Sequence, residues 1–309
     1  MRLAIKTCTL AMPYEDMLNF CVREGIHALE IGTGNWSAAP HIDLDNLLNS
    51  EIARMHWIDA QRRRDLALCA LNCSGNPLAY DKDWVVTVKT FRLAALLGVD
   101  KIVMMSGLPA GCPEDKTPTW ITTSWPPETQ DILDYQWNEV AIPKWRKLTK
   151  LAEECGIKHI ALENHGMQLV YNPETLLRLR NAVGPLIGMN LDPSHLFWMG
   201  GDPIEAIRVL GKHGAIYHVH AKDSRPERGM CGPNGMLDTK PIHSFQDRAW
   251  NYVAVGSGHD IQWWREFFSV LRMYGYNGDV SLEMEDLTLS MLDGHLASLW
   301  TLKASLVSL

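Results

Sequence analysis

Glu163, Asp192, His220 and Glu283 each stand where an apolar run gives way to a loop: "IALENHG", "GMNLDPSH", "YHVHAKD" and "VSLEMED". Side chains alternate along a strand. Ile160 and Leu162 therefore oppose Glu163, Met189 and Leu191 oppose Asp192, Tyr217 and Val219 oppose His220, and Val280 and Leu282 oppose Glu283. With the large apolar residues turned toward surrounding helices, the four polar groups turn toward one axis. Three carboxylates and an imidazole brought together repel unless a cation neutralises them. Oxygen and nitrogen ligands without a thiolate suit Mn²⁺, Mg²⁺, Co²⁺ or Zn²⁺. The expectation is one divalent metal ion per chain, manganese first among these. The alternative is four polar residues satisfied separately at strand ends. Their recurrence at four successive strand ends weighs against it, because unpaired buried charge is costly.

Neighbouring residues extend the site. His165 shares the parity of Glu163. His195 follows Asp192 in "DPSHLFW" and is read as a substrate contact or a support behind the ligands, with a surface-loop residue as the alternative; Trp198 is read as a substrate contact. Lys222 and Asp223 follow His220 and are placed against substrate hydroxyls, with an ordinary loop ion pair as the alternative. His218 lies one layer deeper on the inward face, as a hydrogen-bonded core residue. Cys69 and Cys73 share a strand parity but have no second pair, so they are read as buried core. Gly32 and Gly34 lack the third glycine of a dinucleotide fingerprint, since position 37 is Ser. No phosphate loop or nucleophile elbow occurs.

Positioning these groups requires a repeating scaffold. "REGIHALEI", "LLGVDKIVMM", "ECGIKHIAL" and "MYGYNGDVSL" each read as a helix end, a glycine and a short strand. Candidate strands cover about 2–7, 27–31, 66–72, 100–105, 158–163, 186–191, 215–220 and 279–283, with helices between them. In 84–96, Trp84, Val88, Phe91 and Ala95 fall on one helical face. Asn172-Pro173 and Asp202-Pro203 read as N-caps followed by proline, with Glu205 completing a capping box. Eight strands alternating with helices predict an α/β fold, a (β/α)8 TIM barrel, in one domain over 1–309. Two connections exceed a plain turn: 107–137 after strand four, with three tryptophans, and 224–257 after strand seven. Both follow strands and so lie on the face where barrels build sites, as a lid, a pocket wall or an oligomer contact.

Composition narrows the function classes. The 309 residues carry a formal charge of −7, and the longest basic run is Arg62–Arg64. This disfavours a nucleic-acid partner, whose phosphates demand cations. Seven scattered cysteines and the absence of a signal peptide point to a reduced, cytoplasmic protein. No apolar run is long enough to span a bilayer, so no membrane partner is expected.

Glu163, Asp192 with His195, "HVHAKD" around His220 and "SLEMED" around Glu283 together resemble the metal-site signature of the xylose isomerase-like TIM-barrel superfamily. The likeness is greatest to its sugar isomerase/epimerase branch, and strongest over 157–285. The resemblance implies a metal that chelates the carbonyl and adjacent hydroxyl of a keto-sugar. It also implies catalytic roles for Glu163 and Glu283, one removing a proton and the other returning it. Ketose 3-epimerases carry a further glutamate in an "E…NR.E" pattern, whereas here the stretch is "ENHGMQL", with Leu169 in that place. "E-x-H" resembles instead the members that process 3-keto-glycosides, such as C-glycoside deglycosidase large subunits. That makes His165 a catalytic base for β-elimination, or a group that orients Glu163. The implied partner is a small-molecule carbohydrate or keto-glycoside, in a homo-oligomer or with a small second subunit. An endonuclease IV-like enzyme would need additional histidines from the early strands, yet "LNCSGN" and "VMMSG" have none. A non-catalytic sugar-binding barrel with a structural metal is the rival from another class.

Overall fold

A computed structural model describes residues 1–306. Eight parallel strands close into a barrel: β1 (Arg2–Lys6), β2 (Ala28–Gly32), β3 (Ala67–Asn72), β4 (Lys101–Met104), β5 (His159–Glu163), β6 (Ile187–Leu191), β7 (Ile216–Ala221) and β10 (Asp279–Leu282). β10 closes the ring against both β1 and β7. β8 (Asp223–Pro226) and β9 (Trp250–Val253) form an antiparallel hairpin outside it. The expected (β/α)8 barrel is therefore present, and the eighth candidate strand is β10. The hairpin was not expected; it organises the long connection after β7.

The alternation of side chains builds two cores. Ile5, Leu29, Leu71, Ile160, Leu162, Met189, Val219 and Val280 are fully buried in the shell between strands and helices. Inside the barrel, Ala70, Val103 and Ala161 make a small plug with Cys69 and Tyr217 against them. Tyr217 corrects the simple parity reading. Between β6 and β7, Met189 faces Ile216 but Asn190 faces His218, so Tyr217 is an extra residue in a bulge and joins the interior. Gly188 makes the space, since a Cβ there would come within 2.3 Å of the Tyr217 ring. A similar shift beside Leu29 and Glu30 leaves Cys69 extra on β3. Cys69 therefore packs inside the barrel while Cys73 packs in the outer shell, despite their shared spacing.

Helix N-caps held, but the expected capping box at Asp202 is not formed, because the Glu205 side chain accepts from Arg208 Nε at 3.1 Å, and one helix slipped in phase. Asn172 and Asp202 accept backbone N–H groups as N-caps, and Gly98 ends its helix in the left-handed conformation at φ 70°. The helix Asp81–Leu97 does not bury the face through Trp84, Val88 and Ala95. It buries Asp83, Thr87, Thr90, Phe91 and Ala94. The buried polar groups there are bonded: Asp83 accepts from Asn76 N at 2.7 Å, and the Thr33 and Thr90 hydroxyls lie 2.8 Å apart. Hydrogen bonds to loops thus outvoted the apolar spacing. No helix among the described residues is long and apolar enough to cross a membrane.

Candidate metal centre

The parallel barrel brings the ends of β5, β6, β7 and β10 side by side at one mouth. Glu163, Asp192, His220 and Glu283 each offer a ligand atom there, and these atoms lie within 4.8 Å of one another. All four side chains are buried. His220 Nδ1 lies 2.8 Å from Glu283 Oε2 and 3.3 Å from Glu163 Oε2. Asp192 Oδ2, His220 Nδ1 and Glu283 Oε2 nevertheless have no hydrogen-bond partner. Buried polar atoms are normally satisfied, so three converging orphans fit a shared cation.

The other end of each ligand is anchored. Asp192 is the N-cap of the helix Pro193–Met199, and its Oδ1 accepts from Ser194 N at 2.8 Å and Ser194 Oγ at 2.7 Å. Lys6 Nζ donates to Glu283 Oε1 at 2.5 Å. His195 Nε2 lies 3.1 Å from Glu163 Oε1, and His220 Nε2 lies 3.0 Å from Glu30 Oε2. In Asp192, His220 and Glu283 one atom is thus held while another is left over for a ligand, and in Glu163 the remaining Oε2 has only a long hydrogen bond from Asn190 Nδ2 at 3.5 Å.

Electrostatics divides the carboxylates. Burial pushes Asp192 up to about 7, with Lys222 opposing and Glu163 and Glu283 reinforcing the rise. Burial alone would also raise Glu163, but the hydrogen bond from His195 and the nearby His220 and Lys6 hold it well below the ordinary range. Lys222, Lys6 and His220 likewise outweigh burial at Glu283 and lower it. Burial disfavours a charged His220, but Glu30 and Glu283 outweigh it and raise its pKa.

Above the cluster opens a cavity of about 620 Å3, lined among others by Trp36, Met105, Glu163, His165, Lys222, Tyr252 and Glu283. His165 reaches this wall, with its ring 4.1 Å from that of His195 and 6.3 Å from Trp36. Its Nδ1 is bonded to the carbonyl of Gly166. A carbonyl only accepts, so Nδ1 carries the hydrogen, and in the neutral ring Nε2 is the nitrogen with the lone pair. Lys222 also lines the cavity, paired with Glu285 at 2.5 Å and lying over the Tyr252 ring at 4.3 Å.

This geometry re-places two sequence readings, Asp223 and Trp198, and narrows a third, His195, to its supporting role. Asp223 does not line the cavity. Its Oδ2 accepts from the backbone of Gly256, Gly258 and His259 at 3.0–3.1 Å, and its Oδ1 meets His259 Nδ1 at 2.8 Å. It therefore ties down the turn behind β9. Trp198 stacks on Trp250 at 5.0 Å and backs His195 rather than facing the cavity. His195 is fully buried among Glu163, Asp192, Trp198 and Tyr252, and burial with the neighbouring His165 lowers its pKa to about 3. It is a neutral imidazole that braces Glu163. Of the long connections, 224–257 contributes Ile242 and Tyr252 to the mouth. Trp120 and Trp137 instead line a separate depression of about 430 Å3 with Gln168, Leu169 and Tyr171.

The sequence reading missed Lys6 and Glu30, both buried. Lys6 closes the strand "RLAIK" and Glu30 is the lone charge inside "ALEIG", and the two are register partners across β1 and β2. That signal was available.

Residues 18–300 match the model of the family described as xylose isomerase-like TIM barrel. The chain is 58% identical over 315 residues to YfiH of Bacillus subtilis (strain 168), covering 99% of both proteins. Among solved structures, the IolI protein with a bound zinc atom superposes with a TM-score of 0.65 at 18% identity, over 99% of this chain and 98% of that one. D-Psicose 3-epimerase with D-tagatose, from Clostridium cellulolyticum H10, gives a TM-score of 0.61 at 16% identity, over 99% and 98%. At these identities the structural likenesses establish the fold. The chain belongs to the xylose isomerase-like TIM barrel family.

Proposed function

We propose that this xylose isomerase-like barrel is a divalent-metal-dependent sugar isomerase or epimerase that enolises a keto-sugar or 3-keto-glycoside. The carrying observation is the convergence of orphaned ligand atoms from Asp192, His220 and Glu283, beside Glu163, on the floor of an open cavity. The fold shared with an epimerase solved with D-tagatose is consistent with this reading. Glu163, Asp192, His220 and Glu283 would hold the ion, manganese first, with magnesium, cobalt or zinc as alternatives. When bound, the ion supplies the positive charge that acidifies a C–H beside a carbonyl.

The chain's own residues handle the proton. Glu163 and Glu283 both line the cavity and rise from β5 and β10, separated by β6 and β7. One carboxylate takes the proton from the substrate carbon, and the other, entering the step as the carboxylic acid, gives its own proton to the opposite face; the pair ends with its protonation states exchanged and is reset by proton exchange with water, so the epimerisation balances. His195 and Lys6 keep these carboxylates from rotating. Lys222, at the cavity wall, is placed for a substrate hydroxyl or a developing oxyanion.

His165 favours a second reading, β-elimination from a 3-keto-glycoside. Its Nε2 takes the proton next to the keto group, the C–H pair forms the new double bond, and the aglycone leaves with the electrons of its bond to the sugar. Trp36, Ile242 and Leu287 at the cavity wall fit an apolar substituent. Incubation of metal-loaded protein with keto-sugars and 3-keto-glycosides in D2O, followed by NMR, tests both readings. Deuterium uptake without cleavage supports the epimerase, and aglycone release supports elimination. No exchange into any of these substrates refutes both.

A further inference from the structure

One layer below the metal ligands lies a second carboxylate that the proposed chemistry does not use. Glu30 is fully buried in the barrel interior. Its Oε1 accepts from Asn72 Nδ2 at 2.7 Å, and its Oε2 lies 2.9 Å from His218 Nε2. His220 Nε2 sits between the two oxygens, at 3.1 Å from Oε1 and 3.0 Å from Oε2. The contact crosses the barrel axis, from β2 to β7, which are not neighbours in the sheet.

From this geometry we infer that Glu30 is a positioning residue that dictates which nitrogen of His220 is presented to the metal. A carboxylate already accepting from Asn72 and His218 is an acceptor toward His220 as well, so Nε2 must carry a hydrogen. Only Nδ1 is then left to bind a metal, and Nδ1 is the nitrogen that points at Glu163 and Glu283. A ring held by a charged hydrogen bond behind it is also a more basic ligand. Asn72 and His218 stop the carboxylate from turning away, so the lower layer acts as a jig for the upper one. The β2–β3 bulge beside Glu30 aligns it with Ala70 rather than Cys69. The small Ala70 side chain leaves the axis open for this contact.

The inference rests on the metal reading above. Its test is manganese titration of the full chain by EPR, with Co²⁺ absorption as a second readout. Glu30→Gln keeps the shape but swaps one acceptor oxygen for a donor. We expect its Mn²⁺ affinity to fall about 10–100-fold, with an altered Co²⁺ ligand-field spectrum at saturating metal. On a His220→Gln background the same change should cost less than about twofold, because the effect runs through the ring. A merely structural role for Glu30 would lower affinity equally on both backgrounds and overturns the inference. Unchanged affinity in Glu30→Gln overturns it too, while leaving the metal reading intact. Failure of the parent protein to bind any divalent ion removes both. If Glu30→Gln does not fold, Glu30→Asp serves instead. It keeps the charge one methylene short of His220, and should show a smaller loss of affinity with the same dependence on His220; equal affinity to the parent overturns the inference.

Discussion

Two layers of the barrel interior contain the same residue types in opposite states. At the mouth, Asp192 Oδ2, His220 Nδ1 and Glu283 Oε2 converge without hydrogen-bond partners. One layer deeper, both oxygens of Glu30 are occupied by Asn72, His218 and His220. Burial is complete in both layers, so burial does not distinguish them. The difference lies in the carboxylates: Glu30 has no oxygen left over, although His218 Nδ1 beside it has no partner, whereas Asp192 and Glu283 each keep a free oxygen. A satisfied buried network holds its members in one geometry, whereas leftover ligand atoms at a cavity floor are available for chemistry. His220 belongs to both layers, with one nitrogen in each, and couples the frame to the site.

The contrast can be broken most directly at Glu283. Glu283→Gln removes a ligand and a proton carrier together, and should lower deuterium exchange about 10²–10⁴-fold. Near-normal exchange in D2O would mean that the mouth layer is not the reactive one. His165→Ala sharpens the assignment within that layer. Turnover of a 3-keto-glycoside should fall about 10²-fold, while Mn²⁺ affinity stays unchanged. Loss of metal instead would make His165 a support for Glu163.

Metal removal probes the leftover lone pairs as a group. At an ion concentration 100-fold above Kd, binding contributes about 2.7 kcal/mol. Chelation should therefore lower Tm by roughly 5 °C, as followed by calorimetry. The Glu283→Gln protein should show little of this shift.

The smallest effect is the pH dependence of Asp192. Its folded value, about 7, lies above the ordinary 3.8. The stability linked to its proton is fully present below pH ~4 and is lost as pH rises toward 7. Relative to Asp192→Asn, the metal-free parent should lose stability over that window in denaturant titrations. Bound metal should abolish the difference, because it replaces the proton. A parallel pair of curves would show that Asp192 is ionised throughout.

Much of the site was legible because the barrel's alternation is local. A polar residue closing an apolar strand faces the axis or the helices according to parity alone, and this brought Glu163, Asp192, His220 and Glu283 together from spacing. The same rule misplaced Tyr217 because a bulge inserts one residue and reverses the phase. Asp223 looked like a site residue by adjacency to His220. The turn at 256–259 that consumes its oxygens is more than thirty residues away in sequence. Glu30 was overlooked for the converse reason, since its partner His220 lies 190 positions along the chain.

The barrel-strand count, the helix N-caps, the run of candidate ligands along the second half of the chain, the acidic charge and the lack of a membrane-spanning helix among the described residues all follow from residue type and short-range period. Those features depend on interactions within a few residues, where backbone geometry is nearly invariant. Which lone pairs remain unsatisfied depended on the closed barrel. That closure sets Lys6 against Glu283 and Glu30 against His220, and folds the hairpin so that Tyr252 meets His195. Hydrogen-bond accounting is a property of the whole packed interior, and only the tertiary structure could decide which carboxylates are frame and which are free to bind.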